Sequence, residues 1–185
     1  MPRAGLSPDA VVDAALALVD DEGADALSLA AVATRVGVKT PSLYKHVRSI
    51  EDLRRRVGLA VMNEMDARVR AAVLGRSGDD AVRRLMRVYR RYATEHPFRY
   101  ALMPPSPLAD PALEAAGRRL MEVFTAVLHE YGLAGADAIH ALRGLRAAAH
   151  GFAALEVAGG FGLAENLNTS YERLVDGLIA GLRSR

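Results

Sequence analysis

The sequence predicts an all-α fold, and three observations carry that prediction. Apolar residues recur at helical spacing in one segment after another, with no convincing alternating strand segment between them. Hydrophobic residues make up 51% of the 185-residue chain, yet aromatics are only 5% and tryptophan is absent, so a core must rest on the aliphatic side chains and alanine that favour helix. Breaks such as Gly75-Arg76-Ser77-Gly78, His96-Pro97 and Gly159-Gly160 separate the apolar stripes. A chain of this length buries a core as one large or two small domains. It has no cysteine, which removes disulfides and thiolate chemistry. The N-terminal MPRAGLSPDA lacks the apolar core of a secretion signal, and no run approaches the roughly 20 apolar residues that span a bilayer. A cytoplasmic protein with no membrane partner is expected.

The first helix is announced by Ser7-Pro8-Asp9, a cap followed by proline at the first helical position. Val11, Ala14, Ala15, Leu18 and Val19 then form its stripe, up to Gly23. Leu27 to Leu53, LSLAAVATRVGVKTPSLYKHVRSIEDL, reads as two short helices folded over a glycine turn. Ser28 is an N-cap, Gly37 can adopt the left-handed conformation that ends the first of the pair, and Pro41 opens a second running to about Val47. Ala33, Gly37 and Leu43 supply a small residue at the crossing, a flexible turn and an apolar anchor. That is how a helix is presented to the DNA major groove. Charge agrees with this reading. From Arg35 to Arg56 seven basic residues (Arg35, Lys39, Lys45, Arg48, Arg54, Arg55, Arg56) face only Glu51 and Asp52, whereas Asp9 to Asp25 holds six acids and no base. The whole chain carries a formal charge of only +2, so it is this segregation that would orient it toward a polyanion.

Ser49 caps a long fourth helix with Ile50, Leu53, Val57, Val61, Met65, Val69 and Val73 on one side, joining this head to the rest of the chain. After the Gly75–Gly78 break a fifth helix carries Ala81, Leu85, Val88 and Tyr92 on one stripe, with Val82, Met86 and Tyr89 beside it, until His96-Pro97. Met103-Pro104-Pro105-Ser106-Pro107 cannot be helical, and Asp110-Pro111 restarts a helix through Leu120, Phe124, Val127 and Leu128 to Tyr131-Gly132. The next helix, about Ala136 to Ala158, is apolar around most of its circumference. The last, about Ser170 to Leu182, places Tyr171, Leu174, Val175, Leu178, Ile179 and Leu182 in an unbroken i, i+3, i+4, i+7, i+8, i+11 series. Two such helices expose more apolar surface than one small bundle covers. Pairing them with their copies gives a four-helix homodimer interface of Phe152, Tyr171, Leu174, Val175, Leu178, Ile179 and Leu182, together with the two-fold symmetry of palindromic DNA. The alternative is that both helices are core of a monomer.

Leu27 to Leu53 resembles the DNA-binding domain of TetR-family transcriptional regulators. The likeness is closest in VGVKTPSLYKHVRSIEDL, an aliphatic-Tyr-x-His-aliphatic run followed by a basic residue and an acidic-x-Leu step, and it extends over Ser7 to about Val57. The resemblance implies that Leu43 is buried, that Tyr44 and Lys45 touch phosphates, that Lys39, Thr40, Pro41 and Ser42 face base edges, and that His46 lies near the backbone or the last base. Ser28 and Arg48 complete the expected DNA-binding set. Ala30 stands where some relatives carry a base-reading arginine, so little sequence choice is expected from the first helix of the pair. Leu142 to Leu163 also resembles the C-terminal ligand-binding and dimerisation domain of one TetR subgroup, marked by a His-Gly or Trp-Gly pair, here His150-Gly151.

Catalysis and metal binding find little support. The five histidines are scattered. His140 and His150 on one helix lie roughly 80° and three turns apart, which prevents them from sharing a metal. No HExxH, glycine-rich phosphate loop or nucleophile elbow occurs, and neither an enzyme nor a cofactor is expected. A cavity for a small, largely apolar effector is expected instead, drawn from Met86, Tyr89, Phe98, Tyr100, Met103, Met121, Phe124, Phe152 and Leu155, with Arg99, Arg118, His129 and Glu156 as polar anchors. For each apolar member taken singly, ordinary core packing is the competing explanation.

The expectation is therefore a helix-turn-helix DNA-binding domain over residues 1–55, a connecting helix reaching 74, and a ligand-binding and dimerisation bundle over 75–185. Such a protein would bind a palindromic double-stranded DNA operator as a homodimer, respond to a small-molecule effector, and repress by occluding a promoter. The alternatives are a helical DNA-binding protein without effector, and a helical small-molecule-binding protein or enzyme.

Overall fold

The computed structural model describes residues 6–104 and 110–184. Among the described residues the chain forms nine α-helices and no strand. They gather into two compact units, one from Met1–Asn63 with Phe98–Ala115 and one from Glu64–Pro97 with Ala116–Arg185.

The first unit is built on α1 (Pro8–Glu22), α2 (Leu29–Arg35), α3 (Thr40–Leu43) and the first half of α4 (Ile50–Val73). Ser7 starts α1 by accepting the Ala10 N–H (3.1 Å), and the helix then buries Val11, Ala15, Leu18 and Val19 of the expected stripe together with Val12, leaving Ala14 half-buried. Ser28 does the same for α2, accepting from Ala31 (3.2 Å). At the other end of α2, Gly37 takes φ 72°. The Val38 N–H reaches the Ala33 carbonyl (3.0 Å) and the Gly37 N–H that of Thr34 (3.1 Å), the paired bonds of a Schellman turn. No atom lies within 4 Å of a Cβ added at Gly37, so the position demands glycine for its backbone alone. Ala33 and Leu43 are 2% and 0% exposed at the packing of α2 on α3.

α3 is shorter than the helix expected to reach Val47. After Leu43 the chain tightens, the His46 and Val47 N–H groups both turning back to the Leu43 carbonyl (2.8 and 2.9 Å). Val47 is thereby buried before Ser49 caps α4. Two bonds close the start of α4: the Asp52 N–H donates to Ser49 Oγ (3.2 Å), and the Asp52 carboxylate accepts the N–H of Arg48, the residue before the cap (3.0 Å).

A short helix absent from the sequence reading, α6 (Pro97–Ala101), follows the break at His96. Its Phe98 ring lies 3.7 Å from where a Cβ on Gly23 would sit, and Arg99 Nε donates to both carboxylate oxygens of Asp20 (2.7 and 2.9 Å). Just beyond it, the Leu102 carbonyl comes within 3.1 Å of where a Cβ on Gly58 would be, so any larger residue there would push this close approach apart by a few tenths of an ångström. These contacts assign Phe98–Ala115 to the first unit rather than to the C-terminal bundle expected from residue 75 onward. The division inside α4 follows from its continuity, since one helix supplies Leu53, Val57 and Val61 to the first core and Met65 and Val69 to the second. Met103 and Pro104 are non-helical as expected, and residues 105–107 of that proline run lie outside the described residues.

In the second unit α5 (Gly78–Glu95) packs against α8 (Gly135–Val157) and α9 (Leu167–Arg183), which also touch each other. The two neighbouring stripes expected for α5 merge into one buried face of Ala81, Val82, Leu85, Met86, Tyr89 and Tyr92, joined by Ala93, while Val88 is only half-buried. α7 (Pro111–His129) adds Val123, Phe124, Val127 and Leu128 to the core. α9 begins three residues before the expected Ser170, because Asn166 Oδ1 accepts the Thr169 N–H (3.1 Å) and serves as its cap. None of the described helices is long and apolar enough to cross a membrane.

Candidate nucleic-acid interface

The α2–turn–α3 segment presents its polar side chains outward around one buried anchor. Lys39 precedes α3 with extended backbone and is exposed, as are Pro41, Tyr44, Lys45 and Arg48. Thr40, Ser42 and His46 are half-buried. Tyr44 is 57% exposed, an unusual cost for an aromatic ring that Leu43 and Val47, buried on either side of it, do not share. The expected DNA-facing residues therefore lie together on one short stretch. Ser28 stands apart from them, with its hydroxyl oxygen engaged at the start of α2.

The basic residues of this region divide into two groups. Arg35 pairs with Asp21, and Arg55 and Arg56 both pair with Asp52 (2.9 and 3.1 Å), Arg55 also approaching Asp110 (3.5 Å). Lys39, Lys45, Arg48 and Arg54 remain exposed. Burial works to raise the Asp52 carboxyl, but the Arg48 N–H and the Arg55 and Arg56 guanidinia outweigh it and hold the pKa down at about 2. Asp52 is thus ionised under all physiological conditions and ties the end of the α3 turn to the start of α4. By charge alone Asp52 reads only as a counter-ion to the basic segment. The signal that reveals its role is the Ser49-x-x-Asp52 spacing.

The expected effector-pocket residues are distributed over both units. Phe98, Arg99, Tyr100 and Met103 belong to the first unit, where Phe98 and Arg99 are committed to Gly23 and Asp20. In the second unit Met86, Tyr89 and Phe124 are core residues at 0%, 3% and 5% exposure, whereas Arg118, Met121 and His129 are exposed along α7 and Leu155 is exposed on α8. Phe152 is half-buried against Phe161 and Tyr171, with ring centroids 4.7 and 4.9 Å away. Of the expected set, Glu156 lines a cleft of about 430 Å³ between α5, α8 and the start of α9. That cleft carries charged walls. Its other walls include Arg87, Arg90, Arg91, Thr94, Asn168 and Glu172, none of which the sequence analysis singled out.

The expected dimer residues require a correction. Tyr171, Val175, Ile179 and Leu182 are 0%, 1%, 3% and 7% exposed, so the regular series on α9 faces the protomer's own core, and the Tyr171 hydroxyl donates to the Met86 carbonyl (2.7 Å). Leu174 and Leu178, like Phe152, are half-buried. The outward faces include small residues, Gly144, Ala147, Ala154 and Ala158 with His140 and Arg143 on or just beyond α8, and Gly177, Ala180 and Gly181 with Arg173 on α9, beside the exposed Ile139, Leu155 and Val157 of α8. A Cβ added at Gly144, Gly177 or Gly181 would meet nothing within 4 Å. Sequence periodicity found the apolar face of α9 correctly but assigned it to a partner, because alanine and glycine are weak markers of an interface.

Comparison with known proteins agrees with the architecture. Residues 11–57 match the family model for bacterial regulatory proteins of the tetR family, and residues 82–178 match that for the Tetracyclin repressor-like C-terminal domain. An HTH-type transcriptional regulator of Mycobacterium tuberculosis is 39% identical over 98% of this chain and 84% of its own length. Among solved structures, a Rhodococcus protein of unknown function superposes with a TM-score of 0.86 over 99% of both chains at 22% identity. A TetR variant of Acinetobacter baumannii, solved in complex with minocycline, superposes with a TM-score of 0.72 over 97% of both chains at 20% identity.

Proposed function

Because the chain belongs to the TetR family of DNA-binding transcriptional regulators, we propose that it is an effector-responsive repressor that binds a palindromic operator as a homodimer. The observation that carries the reading is the exposed Tyr44 and Lys45 beside buried Leu43, at the end of a helix whose preceding residues Lys39, Thr40 and Ser42 are polar. In this arrangement Tyr44 and Lys45 contact phosphates, while Lys39, Thr40, Pro41 and Ser42 meet base edges, His46 and Arg48 supporting them at the backbone. Homodimerisation through the small-residue faces of α8 and α9 supports the reading, since two reading heads related by a two-fold axis match a palindrome. The complex of the Acinetobacter protein with minocycline supports a small-molecule effector for this fold. Repression then follows from simple occlusion of a promoter.

Selection of bound sequences from a random duplex pool tests the assignment. The intact protein should enrich an inverted repeat, and Thr40→Ala should alter the preferred bases within each half-site. An unchanged base preference in that variant would remove Thr40 from the base-reading set.

A further inference from the structure

We propose that the cleft between α5, α8 and the start of α9 binds a small organic carboxylate, gripped by Arg91 and Arg87 above the fixed guanidinium of Arg90. The volume, about 430 Å³, is within the usual range for small-molecule sites and much larger than an inorganic oxyanion requires. Its floor is rigid. The Arg90 side chain is only 12% exposed, lies 5.1 and 4.8 Å from the Phe152 and Tyr171 ring centroids, and donates to both Glu156 oxygens (2.6 and 2.7 Å) and to Asn168 (3.0 Å).

Charge selects the ligand. Glu156 is held by two donors of Arg90 and Glu172 by two of Arg87 (both 2.6 Å), so neither carboxylate is available to a cation. Arg91 differs: its side chain is 63% exposed and its ion pair with Glu95 is 3.9 Å long, beyond hydrogen-bonding reach. Among the lining side chains three guanidinia face two carboxylates, and the third, Arg91, has only the loose 3.9 Å pairing with Glu95, so its planar donor fork is open to a carboxylate in two-point geometry. Val88 gives the organic part an apolar contact.

Binding has a mechanical consequence, which rests on the effector-responsive reading above. A carboxylate shared by Arg91 and Arg87 competes with Glu172, whose pairing with Arg87 ties α9 to α5. Loosening that tie acts on a helix assigned to the dimer, and thereby on the spacing of the two reading heads.

The test titrates the intact protein at low ionic strength with acetate, succinate, salicylate, octanoate, neutral salicylamide and inorganic phosphate, read by calorimetry and thermal melting. At least one organic carboxylate should bind more tightly than phosphate and raise the melting temperature, while salicylamide does not bind. Arg91→Gln should weaken that carboxylate about tenfold or more, the loss of a charge-assisted pair, and leave the unliganded melting temperature unchanged because Arg91 is exposed. The proposal is overturned if no carboxylate binds up to about 10 mM, if phosphate or the amide binds equally well, or if Arg91→Gln binds undiminished. Operator affinity, measured separately, keeps the two readings distinct. A carboxylate that binds through Arg91 without changing operator affinity upholds the cleft and rejects the effector-responsive reading. One that releases DNA but is insensitive to Arg91→Gln does the reverse.

Discussion

Asp52 is the residue on which local order at the reading head depends. Its carboxylate, with a side chain 13% exposed, accepts one backbone N–H and two guanidinium groups, and its pKa of about 2 lies below the ordinary 3.8. A depressed folded-state pKa contributes stability above the unfolded value and loses it as pH falls through the folded one. Asp52→Asn should therefore cost about 2 kcal/mol of unfolding free energy at pH 7, and the gap from wild type should close between about pH 4 and pH 2. Denaturant melts of both proteins across that range check the prediction, and a gap independent of pH would mean that the carboxylate's charge is not what matters. At the same scale, Lys45→Ala should weaken all duplexes about equally because phosphate contacts carry no base information, whereas Lys39→Ala or Thr40→Ala should cost about 1–3 kcal/mol on the preferred sequence alone. Single residues were legible in the sequence where a local rule fixed them: Ser7, Ser28 and Ser49 cap helices by spacing, and Gly37 ends α2 by its backbone. Partners distant in the chain were not legible, as with Arg99 on Asp20 or Arg90 on Glu156, because no local pattern specifies which acid a given arginine meets.

At the scale of elements, periodicity located the helices but not their neighbours. The α9 series Tyr171, Val175, Ile179 and Leu182 is a core stripe, and it was read as an interface because an apolar stripe does not reveal which surface covers it. The opposite faces of α8 and α9 therefore carry the interface proposal. Gly177→Leu should leave the monomer folded, since nothing lies within 4 Å of an added Cβ and leucine favours helix, yet it should dissociate the dimer by holding the helices apart. Ile179→Glu should instead unfold the second unit, placing a carboxylate at a position only 3% exposed. Sedimentation and circular dichroism on the two variants separate these outcomes; a Gly177→Leu protein that stays dimeric would assign the interface elsewhere. On α5, Arg83, Arg87 and Arg90 pair with Asp176, Glu172 and Glu156 on α9 and α8, whereas Arg91 faces Glu95 within α5.

At the scale of the whole molecule, two compact units share the continuous helix α4, the first holding the reading head and the second the charged cleft and the small-residue faces. The all-α class and the two-part organisation followed from the sequence because helix caps and breaks are local. The border between the parts did not, since it falls within an unbroken helix and since α6, only five residues long, is too short to show a period. Linkage governs any switch built on this plan: an effector releases DNA only by binding the released arrangement more tightly, and saturating operator must weaken the effector by the same factor. The central claim is that the α2–α3 segment of a dimer grips DNA phosphates. The direct measurement is the operator affinity of the intact protein as a function of salt, for wild type and Lys45→Ala. The account predicts that log affinity falls linearly with log salt, and that Lys45→Ala reduces the slope by about two, close to one phosphate contact per protomer. An affinity independent of salt, or a slope that Lys45→Ala leaves unchanged, would contradict it.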